Sequence, residues 1–588
     1  MVPCRKAMTA SKIFRREGAG SKRSQHAVDG ASVWLQYLPT LLCFCLFALH
    51  ALLFRAWLID DAGISFAYAR NLIRGHGLVA QPGAVPVEGY SNPLWVFLLS
   101  PLFVRPPLDP TFALKLISMG LMLGTFGVVA RIGRLFFSSP WWSAAATSAV
   151  LLALSVNTSF VVWTMSGLEN PLYVFLCALY GLLSIEYAKA SARQLVPIAL
   201  CAGVCAAGLA LTRPDGVVFL AAFPCVMAIR RCNKRAGWRA EIRRCIFFLG
   251  AALLPLAAYV LFRVLYFGDF YPNTYHAKGD PFPGDMRGML LLMATGMVKT
   301  FHLFEGMFAG RAIPMMIMVF VSVSYVVFRR REQSLTLYLV PNLACSWMIY
   351  CLLPQDWMGE FRFGTLFYFT LTLTMFAMLA EALNAGSLAA SRGRAVFVGI
   401  VAAFFAHSIA VYSPRSLQFA ERPTMPFDAV AQHLGIRFNV YATELGISDA
   451  SFLVPDLGAV LYFSRHEVID LAGLCDRTIA QLHREEDPDA MRDHILALRP
   501  TFIRVHNVWS VRSGLFDDDR FRESYAAIHE SVCPWAKSSG HVGVYSGDYV
   551  RVDAVPDLQR LTQLRESGLR RILTQPVDAE EARPFPRS

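Results

Sequence analysis

Two adjacent carboxylates, Asp60 and Asp61, head a series of charged side chains that recur at the ends of long apolar runs. After them come Glu88, Ser166-Gly-Leu-Glu169, Arg213-Pro-Asp215, the group Asn273, His276 and Lys278, and the group Asp356, Glu360 and Arg362. Acids and bases at a water–lipid boundary suit a reaction between a lipid phosphate, buried by its tail, and a hydrophilic acceptor arriving from water. A carboxylate would take the acceptor's proton while the cations bind phosphate. In Asp60-Asp61 the charges repel, and the hydrocarbon edge raises the pKa of whichever carboxyl is less solvated, as a general base requires. The same pair also fits an N-cap for a helix starting near Ala62, and Glu169 fits a cap before its own apolar run. Arg213 can instead snorkel to headgroups, with Pro214 ending the helix before it. Lys278 and Arg362 fit either a phosphate grip, Lys as a point charge and Arg as a fork, or headgroup anchoring. His276 and His302 also read as structural.

These residues need a membrane frame to converge. Of the 588 residues 55% are hydrophobic and 17% charged, against about 25% charged in a soluble globular chain. From residue 414 onward there are 20 Lys and Arg against 25 Asp and Glu, leaving 35 against 18 before it, so the net charge of +12 belongs to the apolar part. Positive short loops on one side of a bilayer produce that bias. Nucleic-acid binding is excluded, because the basic runs are short and lie between apolar stretches.

Hydropathy and charge parity predict eleven spans, at 35–57, 112–129, 141–163, 171–187, 195–211, 216–229, 245–266, 313–328, 336–353, 365–383 and 395–412. The runs 94–104 and 289–307 are expected to lie flat at the interface. The N-terminus is then cytoplasmic, and every candidate residue faces the other side. Residues 1–33 form a basic cytoplasmic segment and 34–413 the membrane domain, with a first external loop at 58–111. Residues 414–575 form a small external α/β domain, read from short apolar runs at 451–454, 467–471 and 501–505, and 576–588 are a loose tail. Cys475 and Cys533 are the only two of thirteen cysteines in that domain and could pair in an oxidising compartment. No His/Cys cluster has zinc spacing; no cofactor is assigned, and a divalent metal is left open.

The segment 59–79, Ile-Asp-Asp-Ala-Gly-Ile-Ser-Phe-Ala-Tyr-Ala-Arg-Asn-Leu-Ile-Arg-Gly-His-Gly-Leu-Val, with Pro82-Gly83 and 87–95, Val-Glu-Gly-Tyr-Ser-Asn-Pro-Leu-Trp, resembles the first periplasmic loop of GT-C glycosyltransferases. It is most similar to the mycobacterial-type terminal β-(1→2)-arabinofuranosyltransferase family. Further matches follow in order: Ser166-Gly-Leu-Glu169, Arg213-Pro-Asp215, Tyr266-Phe-Gly268, Pro272-Asn-Thr274 with Ala277-Lys278, Asp356-Trp-Met358 with Arg362, and Ile469-Asp-Leu-Ala-Gly-Leu474. Two departures stand out. The mycobacterial-type motif has Arg-Pro-Glu where this chain has Arg213-Pro-Asp215, and the spacing from Asp356 to Arg362 is one residue longer.

The resemblance implies about eleven spans with periplasmic juxtamembrane helices, an extracytoplasmic C-terminal domain and an essential acidic pair at Asp60 and Asp61. It also implies a polyprenyl-phosphate sugar donor, arabinofuranose in the nearest family, used at the outer face of a bacterial inner membrane. The expected reaction is transfer to a hydroxyl of a cell-envelope glycan or glycoprotein. Asp60 is expected as base and Asp61 as acceptor guide or oxocarbenium stabiliser. Lys278, Arg213 and Arg362 would hold the donor phosphate, and Glu88, Glu169, Asp215, Asn273, His276 and Asp356 the acceptor or sugar. Two other classes remain open: a flippase for lipid-linked sugars and a non-catalytic scaffold that binds glycan.

Overall fold

The computed structural model describes residues 37–104, 110–234, 237–279, 285–308, 334–354, 356, 358–385, 390–532 and 545–574. An apolar run in lipid must satisfy its own backbone, and a helix does so within one segment. Six described helices are long and apolar enough to cross a membrane: Thr111–Phe136, Asn170–Lys189, Leu195–Thr212, Trp238–Phe267, Arg362–Asn384 and Ser391–Glu421. The pair Pro140–Val156 and Thr158–Thr164 makes a seventh if its 77° bend is taken within one span. The bend has a cause in Asn157, which is extended and whose side chain accepts from Phe160 N at 2.8 Å, starting the second helix afresh.

Among the described residues several of the eleven expected runs are interrupted, because hydropathy does not report helix continuity. The run 35–57 yields the shorter helix Tyr37–Leu52 followed by turns. The run 216–229 begins as a 3-10 segment, Pro214–Ala221, before the helix Ala222–Lys234. A 3-10 turn, Thr336–Tyr338, likewise precedes Val340–Leu352. The run 313–328 lies outside the described residues. The two runs expected at the interface form the short apolar helix Pro93–Phe103 and the helix Met286–Phe308.

Lys115, inside the helix Thr111–Phe136, donates to the carbonyls of Phe54, Trp57 and Met165. It occupies carbonyls left over where the chain stops being helical, and so fixes the start of the loop that carries Asp60 and Asp61.

The C-terminal part is a five-stranded sheet: β1 (Ser451–Val454), β2 (Glu467–Asp470), β3 (Phe502–Val505), β4 (Tyr525–Val532) and β5 (Tyr545–Arg551), in the order β2-β1-β3-β5-β4. β2, β1 and β3 are parallel, and β5 and β4 add antiparallel. The three apolar runs read from the sequence are the three parallel strands, whose buried residues need cover on both faces.

This sheet is built onto the first loop. The helix Gly458–Phe463 is held at both ends by the segment 60–70. Asp60 accepts from Gly458 N and Ala459 N at its start, and Arg70 donates to Leu461 and Tyr462 carbonyls at its end. The signs match the helix dipole. Gln81 pairs with the Val468 backbone in both directions, Asn273 donates to the carbonyls of Gly473, Leu474 and Asp476, and Arg477 donates to that of Phe267.

Glycines permit the closest approach. A Cβ on Gly458 would lie 1.8 Å from the Asp60 carbonyl oxygen, and one on Gly63 2.3 Å from the Gly458 carbonyl. Gly458→Ala is therefore expected to loosen the domain from the loop by about 1–3 kcal/mol. Faster proteolysis between residues 421 and 450 at unchanged membrane insertion is the measurable sign; wild-type protection would contradict the contact.

Candidate active site

The helix Ala62–Ile73 is preceded by two aspartates with different surroundings. Asp60 is 4% exposed, and both its oxygens are taken: Oδ1 by Ala459 N at 2.8 Å and Oδ2 by Gly458 N at 3.1 Å. Burial pushes its carboxyl up to about 8; the two N–H bonds oppose this, and the Asp61 and Asp456 charges add to it. The carboxyl expected as the base is thus engaged by the backbone at the start of the helix Gly458–Phe463. Asp60→Ala is expected to weaken the contact between this loop and the helix Gly458–Phe463 by about 1–3 kcal/mol, the scale of leaving buried N–H groups without their acceptor. A cleaved or separately melting C-terminal domain at normal membrane insertion would report it, and full docking would contradict the assignment.

Asp61 is half-buried and caps nothing: as N-cap residue of Ala62–Ile73 its side chain makes no capping bond. Among the described residues its carboxylate has no hydrogen bond or ion pair. Burial raises its pKa, the Arg362 and Lys278 charges lower it, and Asp356 and Asp456 raise it again. The net direction is upward.

Lys278 closes the helix Asn273–Lys278, whose C-cap is Gly279 at φ 75°. It is accessible to solvent yet densely ringed by protein, as a side chain lining a cleft would be. That crowding, with Arg362 and Arg213, lowers its pKa, while Asp61 and Glu169 support its charge. Among the described residues its ammonium has no hydrogen bond or ion pair.

Arg362 follows three consecutive residues at positive φ, Gly359 (75°), Glu360 (46°) and Phe361 (50°). Left-handed Glu and Phe are strained, and such geometry persists where neighbours over-determine it. Here Glu360 is gripped by Arg415, Ser159 and, through its carbonyl, Trp163 Nε1, each at 2.8 Å. Arg362 Nε lies 2.8 Å from Asp356 Oδ2, an ion pair whose angles fall short of a hydrogen bond, and both atoms lack another partner. The Arg362 and Arg213 guanidiniums share the Phe363 ring, at 4.6 and 5.1 Å from its centre.

Arg213 is bound on two sides, donating from Nη1 to Glu169 Oε1 at 2.8 Å and from Nε to Asp215 Oδ1 at 3.0 Å. Glu169 also accepts from Asn92 at 2.8 Å, and Asp215 from Tyr173 at 3.3 Å. Burial works against the Glu169 charge, but Arg213 and Asn92 bring its pKa below the ordinary value. Arg213, Glu169 and Asp215 are thus a closed network of ion pairs and hydrogen bonds.

Three of the residues expected on the acceptor side have protein partners. Glu88, 2% exposed, accepts from Arg263 and Tyr259 of the helix Trp238–Phe267. Asn273 spends its amide on the three C-terminal-domain carbonyls. His276 faces Asp269 at 3.1 Å. Cys475 is a free cysteine, 3.6 Å from the Tyr68 hydroxyl, and Cys533 lies outside the described residues. Among the described residues no three His, Cys, Asp or Glu side chains gather as metal ligands. The sequence reading missed Asp456, whose charge reaches both aspartates and which pairs with His506 at 2.8 Å. Neither residue has a local motif that marks it.

Over most of its length the chain is similar to three solved structures. Two are an oligosaccharyltransferase of Archaeoglobus fulgidus (12% identity, TM-score 0.45, covering 85% of this chain and 72% of that one) and ArnT of Cupriavidus metallidurans (13%, 0.47, 82% and 93%). A third is the mycobacterial arabinofuranosyltransferase AftD (13%, 0.41, 88% and 40%). In sequence it is 30% identical over 234 residues to the terminal beta-(1->2)-arabinofuranosyltransferase of Mycobacterium tuberculosis (strain ATCC 25618 / H37Rv). That stretch covers 38% of this chain and 35% of the relative, so the match spans about a third of the relative's length. Residues 434–552 match a family described as Domain of unknown function (DUF8728).

Proposed function

We propose that this chain is a membrane glycosyltransferase that moves a sugar, arabinofuranose in the best reading, from a polyprenyl-phosphate donor to a hydroxyl of a cell-envelope glycan or glycoprotein. The reading rests above all on Asp61: an unpaired, desolvated carboxylate beside an unpaired ammonium and a guanidinium. An uncommitted carboxylate and ammonium, with a guanidinium near them, are what a base and a phosphate leaving group require together. The sequence similarity to a terminal arabinofuranosyltransferase supports the choice of sugar.

In this reaction the acceptor oxygen attacks the anomeric carbon while Asp61 takes its proton. The bond from that carbon to the phosphate oxygen breaks, and polyprenyl phosphate leaves with the electron pair. Lys278 and Arg362 meet the charge that gathers on the leaving oxygen, in a site where low dielectric strengthens the attraction. Asp356 aims Arg362. The site opens on the outer face of the bacterial inner membrane, with the N-terminus in the cytoplasm and the C-terminal domain in the periplasm.

Envelope-glycan linkage analysis of a strain lacking the chain tests this reading. Terminal pentose residues should disappear and return with the wild-type chain but not with Asp61→Asn. An unchanged linkage profile in the deletion strain would contradict it.

A further inference from the structure

β1 and β3 are parallel neighbours, paired Phe452↔Phe502 and Leu453↔Ile503, so their carboxyl ends lie side by side. Just past those ends stand Asp456 after Val454 and His506 after Val505. Beyond the carboxyl ends of parallel strands the connections diverge, and the crevice between them is where such sheets take ligands. His506 Nε2 lies 2.8 Å from Asp456 Oδ2, which fixes the ring. Nδ1 accepts from the Asn507 side-chain amide at 3.4 Å, a long bond that a ligand hydroxyl would displace. The two side chains are 22% and 18% exposed, open enough to be reached. Asn507 next to them sits at φ 50°, ψ −130°, costly for a residue with a Cβ.

The carboxyl end of β1 runs into the contact with the first loop. Asp456 is two residues from Gly458, whose amide is bound by Asp60, and its charge acts on Asp60 and Asp61 alike. The charges that weigh most on Lys278 are instead Arg362, Asp61, Arg213 and Glu169. Asp61 therefore belongs to two neighbourhoods, a cationic one that suits phosphate and one where Asp456 repels it. A neutral, hydroxyl-bearing ligand suits the second.

We propose that His506, oriented by Asp456, forms the subsite for the acceptor sugar, binding one hydroxyl of an uncharged glycan so that a neighbouring hydroxyl faces Asp61. The inference builds on the transferase reading and assigns the acceptor to the C-terminal domain. His506 is the residue that touches the sugar and Asp456 the one that positions it.

Saturation-transfer NMR on the full chain in lipid nanodiscs tests it without turnover, with methyl glycosides of an arabinofuranosyl and a mannosyl disaccharide as probes. Wild type and Asp61→Asn should bind at least one probe. In His506→Ala the affinity should fall about tenfold or more, the loss of one well-placed hydrogen bond, and Asp456→Asn should fall between. His506→Gln, which keeps an amide within reach of Asp456, serves if the alanine variant does not fold. In turnover, acceptor KM should rise about tenfold in His506→Ala while donor KM moves less than about twofold. Absence of probe binding by wild type, binding indifferent to His506, or an equal rise in both KM values would overturn the subsite. Binding through His506 in a chain that cleaves no polyprenyl-phosphate sugar would instead contradict the proposed function and support the subsite.

Discussion

Asp61→Asn is expected to lower sugar transfer about a thousandfold while leaving insertion, domain docking and donor binding close to wild type. General-base catalysis contributes about 10²- to 10⁴-fold, and asparagine keeps the size of the side chain while removing the proton acceptor. Because Asp61 has no hydrogen bond to lose among the described residues, the substitution leaves no buried partner stranded. The pH dependence follows from the upward direction of its pKa. Transfer needs the ionised form, so kcat/KM should fall as pH drops through a value above the ordinary aspartate value of about 4. That acid limb should vanish from the residual rate of Asp61→Asn. Retention of both the rate and the limb would remove Asp61 from the chemistry.

Arg362→Ala is the second large loss expected, about a hundredfold in kcat/KM for the donor, the scale of removing one donor to a developing oxyanion. Arg362→Lys should recover only part of it, since a point charge cannot replace the fork. Lys278→Ala should cost about tenfold, because Lys278 is more open to water and its charge is better screened. Removing Arg362 also strands Asp356, so protein yield and thermal stability must be measured beside activity. A loss confined to the acceptor's KM would contradict the phosphate role.

The contrast between Asp60 and Asp61 marks how far the sequence can be read. Two adjacent carboxylates after an apolar run stood out in the sequence, but which of them the backbone of a distant segment would engage did not. That depended on Gly458 and Ala459, about four hundred positions away, and nothing in the local spacing announces an amide pair that will close on Asp60. Asp61, Lys278, Arg362 and Asp356 stood out in the sequence because charges at the end of apolar spans are costly unless used or paired. Glu88 and Asn273 carried the same signal and turned out to be partners of Arg263 and of the C-terminal carbonyls, since side-chain type does not fix direction. His506 and Asp456 met only in the folded sheet, through the pairing of β1 with β3. Apolar windows located most of the long helices, while their breaks were set by residues such as Asn157 and Pro214, whose local bonds a hydropathy average does not register.

Docking of the sheet onto the loop has a mechanical consequence. The segment that carries Asp61 also holds both ends of the helix Gly458–Phe463, so the C-terminal part is joined to that loop and holds it in place. A domain tethered only by its linker could do neither.

Cleavage of a labelled donor by the purified chain carries the greatest weight. With polyprenyl-phosphoryl sugar labelled in the sugar, and an acceptor glycan, the full chain in nanodiscs should release unlabelled polyprenyl phosphate and labelled glycan in equal amounts, and Asp61→Asn should release neither. Bound or translocated donor that stays intact with the wild-type chain, at every acceptor concentration, would contradict it.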